Sequence, residues 1–376
     1  STDDGGIAID NSGHVQVDGV QLPTAGALSN RNLIINGAMN VAQRATSVTG
    51  VANSGYKAVD RMRTVLAGLG TYTISQASDG PSGFANSYKQ DCTTADASPA
   101  SSDFSVIYYN IEAQDLQHLN FGSSDALPLT LSFYVKSNKT GNASCGIVQT
   151  DNSSKHVNLQ YTINAANTWE KKTLSIPGDT AGVINDDNGA GLRIEWWLNS
   201  GSNFTTGSHR STWTAAAQAD RNPSNLGIGG STDDYWQITG IQLEVGEKAT
   251  PFEHRPIGEE LIRCQRYFHM VASSAYDVIL NMALYTNTSA YGVYRFPVLM
   301  RATPSLYEQN VANGVRFLSS NTAQSNLNGN AFAVDGGSKR AIRMYIGSGL
   351  SGMTQGNAGW AQLNNQGAKI AFDAEF

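Results

Sequence analysis

The chain contains 376 residues, of which 38 are glycine and only 15% are charged, and its formal net charge is −6. This composition favours turns and strands over long helices, and the negative charge argues against a nucleic-acid partner, since phosphates require a basic surface. A membrane-spanning helix would need a run of about 18 apolar residues, and no such run occurs, so we expect no membrane insertion.

The first 30 residues predict a β-rich element. Ile7 and Ile9 alternate before a polar turn, and Val15 and Val17 alternate after it. A single hairpin of this size is only marginally stable in water, so it would need copies of itself wound around a common axis. We interpret residues 1–30 as the end of a fibre shaft. The alternative is a frayed terminus.

Short alternating segments separated by Gly, Pro, Asn and Ser clusters fill residues 31–257. Evenly spaced strands of this kind indicate a jelly-roll β-sandwich. The predicted strands include residues 71–74, 106–111, 129–135, 157–163, 172–176, 192–198 and 236–245. In the last of them the period of two slips at Gly240, which predicts a β-bulge.

The remaining residues predict a helix and a second sheet structure. Residues 258–267 predict a short linker helix, with Glu259 and Glu260 in its first turn and Arg263 and Arg266 in its last, as the helix dipole favours. We expect residues 268–376 to form a smaller C-terminal β-sandwich tip. Alternating apolar residues place its strands near residues 278–284, 296–300, 342–346 and 370–376.

Three cysteines are present, and none is closely spaced with another. Cys92, Cys145 and Cys264 therefore predict neither a disulfide framework nor a CxxC metal site. We expect reduced, buried thiols in a protein made in a cytoplasm.

A string of motifs resembles a family of bacteriophage tail fibre proteins. The motifs lie at residues 32–37, 43–44, 59–61, 131–137, 168–170, 176–179, 240–246, 249–253, 258–261 and 264–267. A shorter similarity, at the opening NLIING and the closing QLEVG, links residues 31–257 to jelly-roll carbohydrate-binding modules. The resemblance implies the distal, receptor-binding part of a virion tail fibre that is made in the host bacterial cytoplasm.

The resemblance also implies partners. It suggests a homotrimer that adsorbs the virion to a bacterial surface glycan such as lipopolysaccharide, and that joins other tail proteins through a part of the chain preceding Ser1. A trimer would multiply weak sugar affinities by avidity. Two alternatives remain open: a surface-polysaccharide depolymerase, and a carbohydrate-binding module of a secreted enzyme. Against the first, no long β-helix repeat is seen. Against the second, no signal peptide is seen.

Aromatic residues in the predicted tip are the candidate glycan-binding residues. Rigid rings pack on the apolar C–H faces of sugars with little entropy loss, and rings beside polar loops are the better candidates. The predicted contacts are Tyr285, Tyr291, Tyr294 and Trp360, with Asn287 and Asn357 from polar loops, and Tyr307 and Tyr345 as further candidates. The alternative for each aromatic is packing in the core or at a trimer interface. That alternative is favoured for Trp196, Trp197 and Trp236, which lie on predicted strands, and stays open for Tyr291 and Trp360.

Other patterns favour structural interpretations. Gly347, Gly349 and Gly352 match GxGxxG, but no helical period follows, so we predict a turn. A calcium loop is suggested superficially by Asp186, Asp187, Asn188 and Glu195, but the EF-hand spacing fails. The jelly roll could still carry a structural Ca²⁺; otherwise we expect no cofactor.

Two acidic pairs could suggest a glycosidase, which needs two carboxylates across a cleft. Asp233 and Asp234 are adjacent in a predicted loop, whereas Glu259 and Glu260 occupy a helix first turn. Neither arrangement provides facing carboxylates, and the six histidines are scattered without metal-ligand spacing. We therefore predict no catalytic residues and a protein that is not an enzyme.

Overall fold

The computed structural model describes residues 7–9, 15–17, 20–21, 30–151, 154–309, 311–320 and 323–376. The protein is all-β, as predicted, with 26 strands in these residues. It divides into two compact units, Ser1–Glu260 with Phe376, and Leu261–Glu375. The division falls within the helix α1, Ile257–Gln265, which confirms the predicted helix. Two short 3-10 helices, Ala113–Leu119 and Gln218–Asp220, were not predicted.

The first unit contains the first sixteen strands. They are β1 Ile7–Ile9, β2 Val15–Val17, β3 Val20–Gln21, β4 Ser47–Val51, β5 Gly55–Tyr56, β6 Arg63–Ala67, β7 Thr71–Ala77, β8 Ser87–Thr94, β9 Phe104–Glu112, β10 Leu129–Ser137, β11 Gly141–Gln149, β12 Lys155–Ile163, β13 Glu170–Ile176, β14 Ala190–Ser200, β15 Arg210–Ala215 and β16 Tyr235–Val245. The strands predicted in this unit are all present.

The β-hairpin expected near the N-terminus is present in the strands that are described. β1, β2 and β3 form a three-stranded antiparallel sheet in which Ile7 lies opposite Val17. The predicted turn at residues 10–13 and the rest of the 1–30 region lie outside the described residues. The assignment to a trimeric shaft stays a prediction.

The other strands of the first unit form a β-sandwich. One sheet has the order β13-β10-β16-β8-β7-β4 and the other β15-β12-β11-β14-β9-β6-β5. The chain passes repeatedly from one sheet to the other, as in a jelly roll. Phe133 of β10 packs between the sheets, with its ring centroid 6.0 Å from Trp196 of β14 and 5.3 Å from Tyr161 of β12. Trp196 and Trp236 are fully buried, as predicted.

The predicted bulge in β16 is present. Ser132 pairs with Gln242 and Tyr134 with Thr239, so β16 carries one extra residue here. Gly240 lies at this point with φ of 61°, a left-handed conformation that favours glycine. A Cβ there would lie 2.8 Å from the Phe84 ring, so both conformation and space require glycine.

A segment without regular structure, residues 30–41, precedes the sandwich strands and lies along β16. We call it the leading segment. Its Asn32 amide donates to the Ile241 carbonyl at 3.1 Å and accepts from the Leu243 N–H at 3.2 Å. The Arg255 guanidinium donates to the Ile34 carbonyl at 3.0 Å, and the Glu253 carboxylate accepts from the Asn32 N–H at 3.0 Å. The beginning and end of the sandwich are therefore hydrogen-bonded to each other.

A buried ion-pair cluster lies on β14, on the face directed away from the sandwich core. The Glu195 carboxylate accepts from the Arg193 Nε at 2.8 Å, from Arg221 Nη1 at 2.9 Å and from the Trp197 indole at 2.9 Å. Trp197 packs against Phe204, with ring centroids 5.2 Å apart, so Trp197 is buried but outside the central core. The segment that follows β14 thus covers this face.

The second unit begins within α1 and contains ten strands. They are β17 Phe268–Ala272, β18 Val278–Thr286, β19 Ser289–Arg295, β20 Ser305–Gln309, β21 Val315–Leu318, β22 Gln324–Leu327, β23 Phe332–Gly337, β24 Ala341–Ile346, β25 Ala358–Leu363 and β26 Lys369–Asp373. A seven-stranded sheet, β22-β21-β25-β18-β19-β24-β23, packs on a three-stranded sheet, β17-β26-β20. This is the smaller β-sandwich that the sequence predicts.

The prediction of a strand near residues 296–300 in the second unit is wrong. Phe296, Val298 and Met300 alternate in the sequence, but residues 296–304 form no strand. The Phe296 N–H donates to the Arg340 carbonyl and the Met300 N–H to the Lys339 carbonyl, both at 3.0 Å. Pro297 lies between them and lacks a backbone donor, so a continuous ladder cannot form.

Two further expectations can be compared with the fold. The three cysteines are free and buried, as predicted. The helices of the described residues are all too short or too polar to cross a membrane.

Candidate functional site

The seven-stranded sheet of the second unit has one covered face and one open face. Met282 and Leu284 of β18 and Met344 of β24 point into the core and are almost fully buried. The residues between them point the other way because side chains alternate along a strand. We call this open surface, formed by Tyr285, Tyr291, Tyr345, Val293 and Trp360, the tyrosine face.

Three tyrosines lie together on this face. Tyr291 of β19 is directly opposite Tyr345 of β24, and their rings stack with centroids 5.2 Å apart and an interplanar angle of 14°. Tyr285 of β18 meets Tyr291 edge-on at 5.4 Å. Ala283 of β18 lies opposite Tyr291 on its other side. The sheet register brings together residues that are up to 60 positions apart in the sequence.

The tyrosine face exposes large apolar side chains to solvent, with the charged Arg343 directly opposite Val293. Tyr285 is 69% exposed, Val293 57% and Trp360 40%. Trp360 lies on β25 opposite Asn281, and β25 is two strands, or about 10 Å, away from β19, which carries Tyr291. Its indole N–H donates to the Gln362 side chain at 3.0 Å, which fixes the ring. Several large exposed apolar side chains on one face of a sheet are typical of an interaction site.

The two predicted asparagines lie at the same end of β18 as Tyr285. The Asn287 side chain accepts from the Gln355 N–H at 2.8 Å and so ties the β18–β19 turn to the loop before β25. Asn357 acts through its backbone, whose carbonyl accepts from the Leu284 N–H at 2.8 Å. Both side chains are on exposed residues. These contacts hold the loops beside the tyrosines.

Two of the predicted aromatics, Tyr294 and Tyr307, lie outside the tyrosine face. Tyr294 points to the core side of β19, where its hydroxyl hydrogen-bonds His269 Nε2 at 2.7 Å and its ring centroid is 5.4 Å from that of Phe372. Burial lowers the pKa of His269 to about 4, so this imidazole is neutral at physiological pH. Tyr307 lies on β20, in the other sheet, against Phe268.

The glycine pattern at residues 347–352 forms a loop between β24 and β25, as predicted. Gly349 and Gly352 have φ of 92° and 67°. No helix follows, so the arrangement that a dinucleotide fingerprint requires is not formed here.

Several acidic residues of the sequence patterns are engaged in structural contacts. Asp234 accepts from the Gly229 N–H at 3.0 Å and the Ser231 N–H at 3.1 Å, and Glu260 pairs with Arg255 at 3.1 Å. Glu195 is held in the ion-pair cluster rather than in a loop with Asp186 and Asp187. In the part of the chain that is described, no group of three or more His, Cys, Asp or Glu side chains is arranged to hold a metal ion.

Comparison with known proteins gives similarity at the level of structure only. No protein-family model matches the sequence, and no curated protein matches it either. Among solved structures, the enzymatically active domain of tailspike protein 4 from bacteriophage CBA120 is 12% identical, with a TM-score of 0.31. The match covers 57% of this chain but only 22% of that one.

Two smaller proteins match over nearly their full length. A putative sugar binding protein from Bacteroides thetaiotaomicron is 13% identical over 57% of this chain and 100% of its own, with a TM-score of 0.31. The family 11 carbohydrate-binding module of a cellulosomal cellulase from Clostridium thermocellum is 12% identical over 57% of this chain and 96% of its own, with a TM-score of 0.27. These similarities are low and assign no activity to this chain.

Proposed function

We propose that this protein is a glycan-binding protein and that the tyrosine face contacts the sugar. The observation that carries the proposal is the grouping of Tyr285, Tyr291, Tyr345 and Trp360 on one exposed sheet face. Sugar rings have apolar C–H faces that pack on aromatic rings, while tyrosine hydroxyls hydrogen-bond the sugar hydroxyls. Rings already fixed by stacking lose little further entropy on binding.

We further propose that the chain is the distal part of a bacteriophage tail fibre that adsorbs the virion to a bacterial surface glycan such as lipopolysaccharide. The motifs between residues 32 and 267 support this assignment. A homotrimer would present three copies of the tyrosine face to a repetitive surface, which raises the overall affinity through avidity. The protein would then be located in the virion and have no catalytic activity.

The test is binding of the fluorescently labelled full chain to a panel of bacterial strains and to their purified lipopolysaccharides. Replacing Tyr285 by alanine is expected to weaken binding about tenfold per site, because one ring contact contributes ~1.4 kcal/mol. Tyr276→Ala is the matched control. Tyr276 is equally exposed, at 67%, but precedes β18 at the end opposite Tyr285, about 30 Å along the strand.

Three outcomes would count against the proposal. Equal binding by the Tyr285→Ala and unmodified proteins would remove the tyrosine face from recognition. If sedimentation showed that Tyr285→Ala dissociates an oligomer while single-site glycan affinity stays the same, the face would be a subunit interface. Release of reducing ends from the polysaccharide would favour a depolymerase.

A further inference from the structure

A second surface in the first unit has the composition of a ligand site. It lies on the six-stranded sheet, on the face directed away from the core. Lys136 of β10 pairs in register with Gln237 of β16, and Gln237 pairs with Lys89 of β8. Trp169, one residue before β13, and Tyr235 of β16 lie beside this row. We call these residues, together with Asp79, the Asp79 patch.

Asp79 is held in one geometry by three donors. Its carboxylate accepts from Lys136 Nζ at 2.7 Å, from the Trp169 indole N–H at 3.2 Å and from the Gln237 amide at 3.2 Å. Burial by itself would raise the pKa of Asp79, but these donors hold it below its usual range. The side chain is still 41% exposed, and a carboxylate has about four acceptor positions. This fixed, ionised carboxylate can thus accept a further hydrogen bond from the hydroxyl group of a ligand.

The residue that supports Asp79 from below, Gln237, is buried. Gln237 is 3% exposed, and its amide donates to Ser87 Oγ at 3.1 Å as well as to Asp79. Asp79 itself belongs to the loop between β7 and β8, whose other end is anchored by Phe84. The Phe84 ring packs against Phe252 at 4.9 Å and Tyr134 at 5.5 Å. The loop is therefore fixed at both ends, and the aromatic cluster borders the patch along the strands.

The two aromatic rings of the patch are also fixed. Lys136 Nζ lies 5.7 Å from the Trp169 ring centroid, and Lys89 Nζ lies 4.9 Å from that of Tyr235. The Tyr235 hydroxyl donates to the Asn167 side chain at 2.6 Å. β13 and β16 are two strands apart, so the strands beside which the two rings lie are about 10 Å from each other. That spacing suits a ligand with more than one ring.

The charges of the patch balance. Lys136 pairs with Asp79, and Lys89 pairs with Asp91 at 3.0 Å. A phosphate or nucleic acid would need an excess of positive charge, so the surface favours a neutral ligand with many hydroxyls. We propose that the Asp79 patch is a second glycan site, for a neutral hexose oligosaccharide of two or more rings, independent of the tyrosine face.

The experiment uses the full chain on a printed array of neutral hexose oligosaccharides and bacterial polysaccharides. Asp79→Asn is expected to lower the affinity for a neutral oligosaccharide at least tenfold, while Asp187→Asn, a turn carboxylate before β14, leaves it unchanged. Trp169→Phe keeps an aromatic ring but removes the N–H donor to Asp79. We therefore expect a smaller loss of affinity than for Asp79→Asn. Thermal unfolding of each variant separates lost binding from lost fold. Raising NaCl to about 0.5 M should change the affinity less than about twofold.

The Tyr285→Ala variant separates the two proposed sites. The second site is supported by neutral oligosaccharides that bind Tyr285→Ala with the same affinity as the unmodified chain but do not bind Asp79→Asn. If Asp79→Asn folds and binds every array member like the unmodified chain, the second site is overturned and the tyrosine face can still stand. If only Asp79→Asn loses binding, the Asp79 patch stands and the tyrosine face fails.

Discussion

Replacing Glu195 by alanine is expected to lower the free energy of unfolding of the first unit by about 3 kcal/mol. The Glu195 side chain is 1% exposed and pairs with Arg193 and Arg221, whose side chains are 22% and 20% exposed. Its removal leaves two neighbouring guanidinium groups without their shared counter-charge and the Trp197 indole without its acceptor. Urea unfolding at neutral pH, followed by tryptophan fluorescence, measures the loss.

The same cluster predicts a pH dependence. Burial by itself would raise the pKa of Glu195, but Arg193 and Arg221 hold it below its usual range. A depressed carboxyl pKa contributes stability above its unfolded value of about 4.3, and this contribution is lost as the pH falls through the folded pKa. The isosteric variant Glu195→Gln cannot ionise. The stability difference between the unmodified protein and Glu195→Gln should therefore shrink below about pH 4; a constant difference would contradict the assignment.

The second large effect is expected from replacing Gly37 by alanine, which should lower the free energy of unfolding of the first unit by about 2–3 kcal/mol. A Cβ at Gly37 would lie 2.2 Å from the Ile241 carbonyl oxygen, and this neighbour is backbone of β16 rather than a flexible side chain. The Gly37 carbonyl also accepts from the Ile241 N–H at 3.0 Å. The added methyl group must push the leading segment away from β16 and stretch this pairing. Differential scanning calorimetry of the unmodified protein and of Gly37→Ala measures the change in stability.

Gly258→Ala is the control for that substitution. Gly258 lies in the first turn of α1, and a Cβ there would meet nothing within 4 Å. Alanine is the better helix former, so stability should stay the same or rise by a few tenths of a kcal/mol. Equal destabilisation by both substitutions would show that the close approach to Ile241 is not the cause.

Much of the fold follows from local pattern. The alternation in β16 and its phase slip at Gly240 were sufficient to predict both the strand and the bulge, because side-chain direction and glycine conformation are local properties. The 3-10 helix Ala113–Leu119 and the loop at residues 296–304 depend on neighbours distant in sequence. Glu195 shows the same limit, since its partner Arg221 is 26 residues away in a loop.

The candidate site was partly predictable for the same reason. Composition identifies Tyr285, Tyr291 and Trp360 as candidates, but the strand register decides which rings meet. Tyr345 joins the tyrosine face through its pairing with Tyr291. Tyr294 lies three residues after Tyr291 on β19, so its side chain points to the opposite face of the sheet. The Asp79 patch was missed altogether. Asp79 and Gln237 are 158 positions apart, and no local pattern links them.

The hydrogen bonds between the leading segment and residues 241–255 have a mechanical consequence. Because the chain enters and leaves the first sandwich at one place, tension along the chain passes through these bonds and the end of β16, and the other strands of the two large sheets carry less of it. Asn32, Glu253 and Arg255 would carry the load in shear, with several bonds stretched at once. A particle tethered through this chain could be pulled by flow while the sandwich, and any ligand on its surface, stays intact.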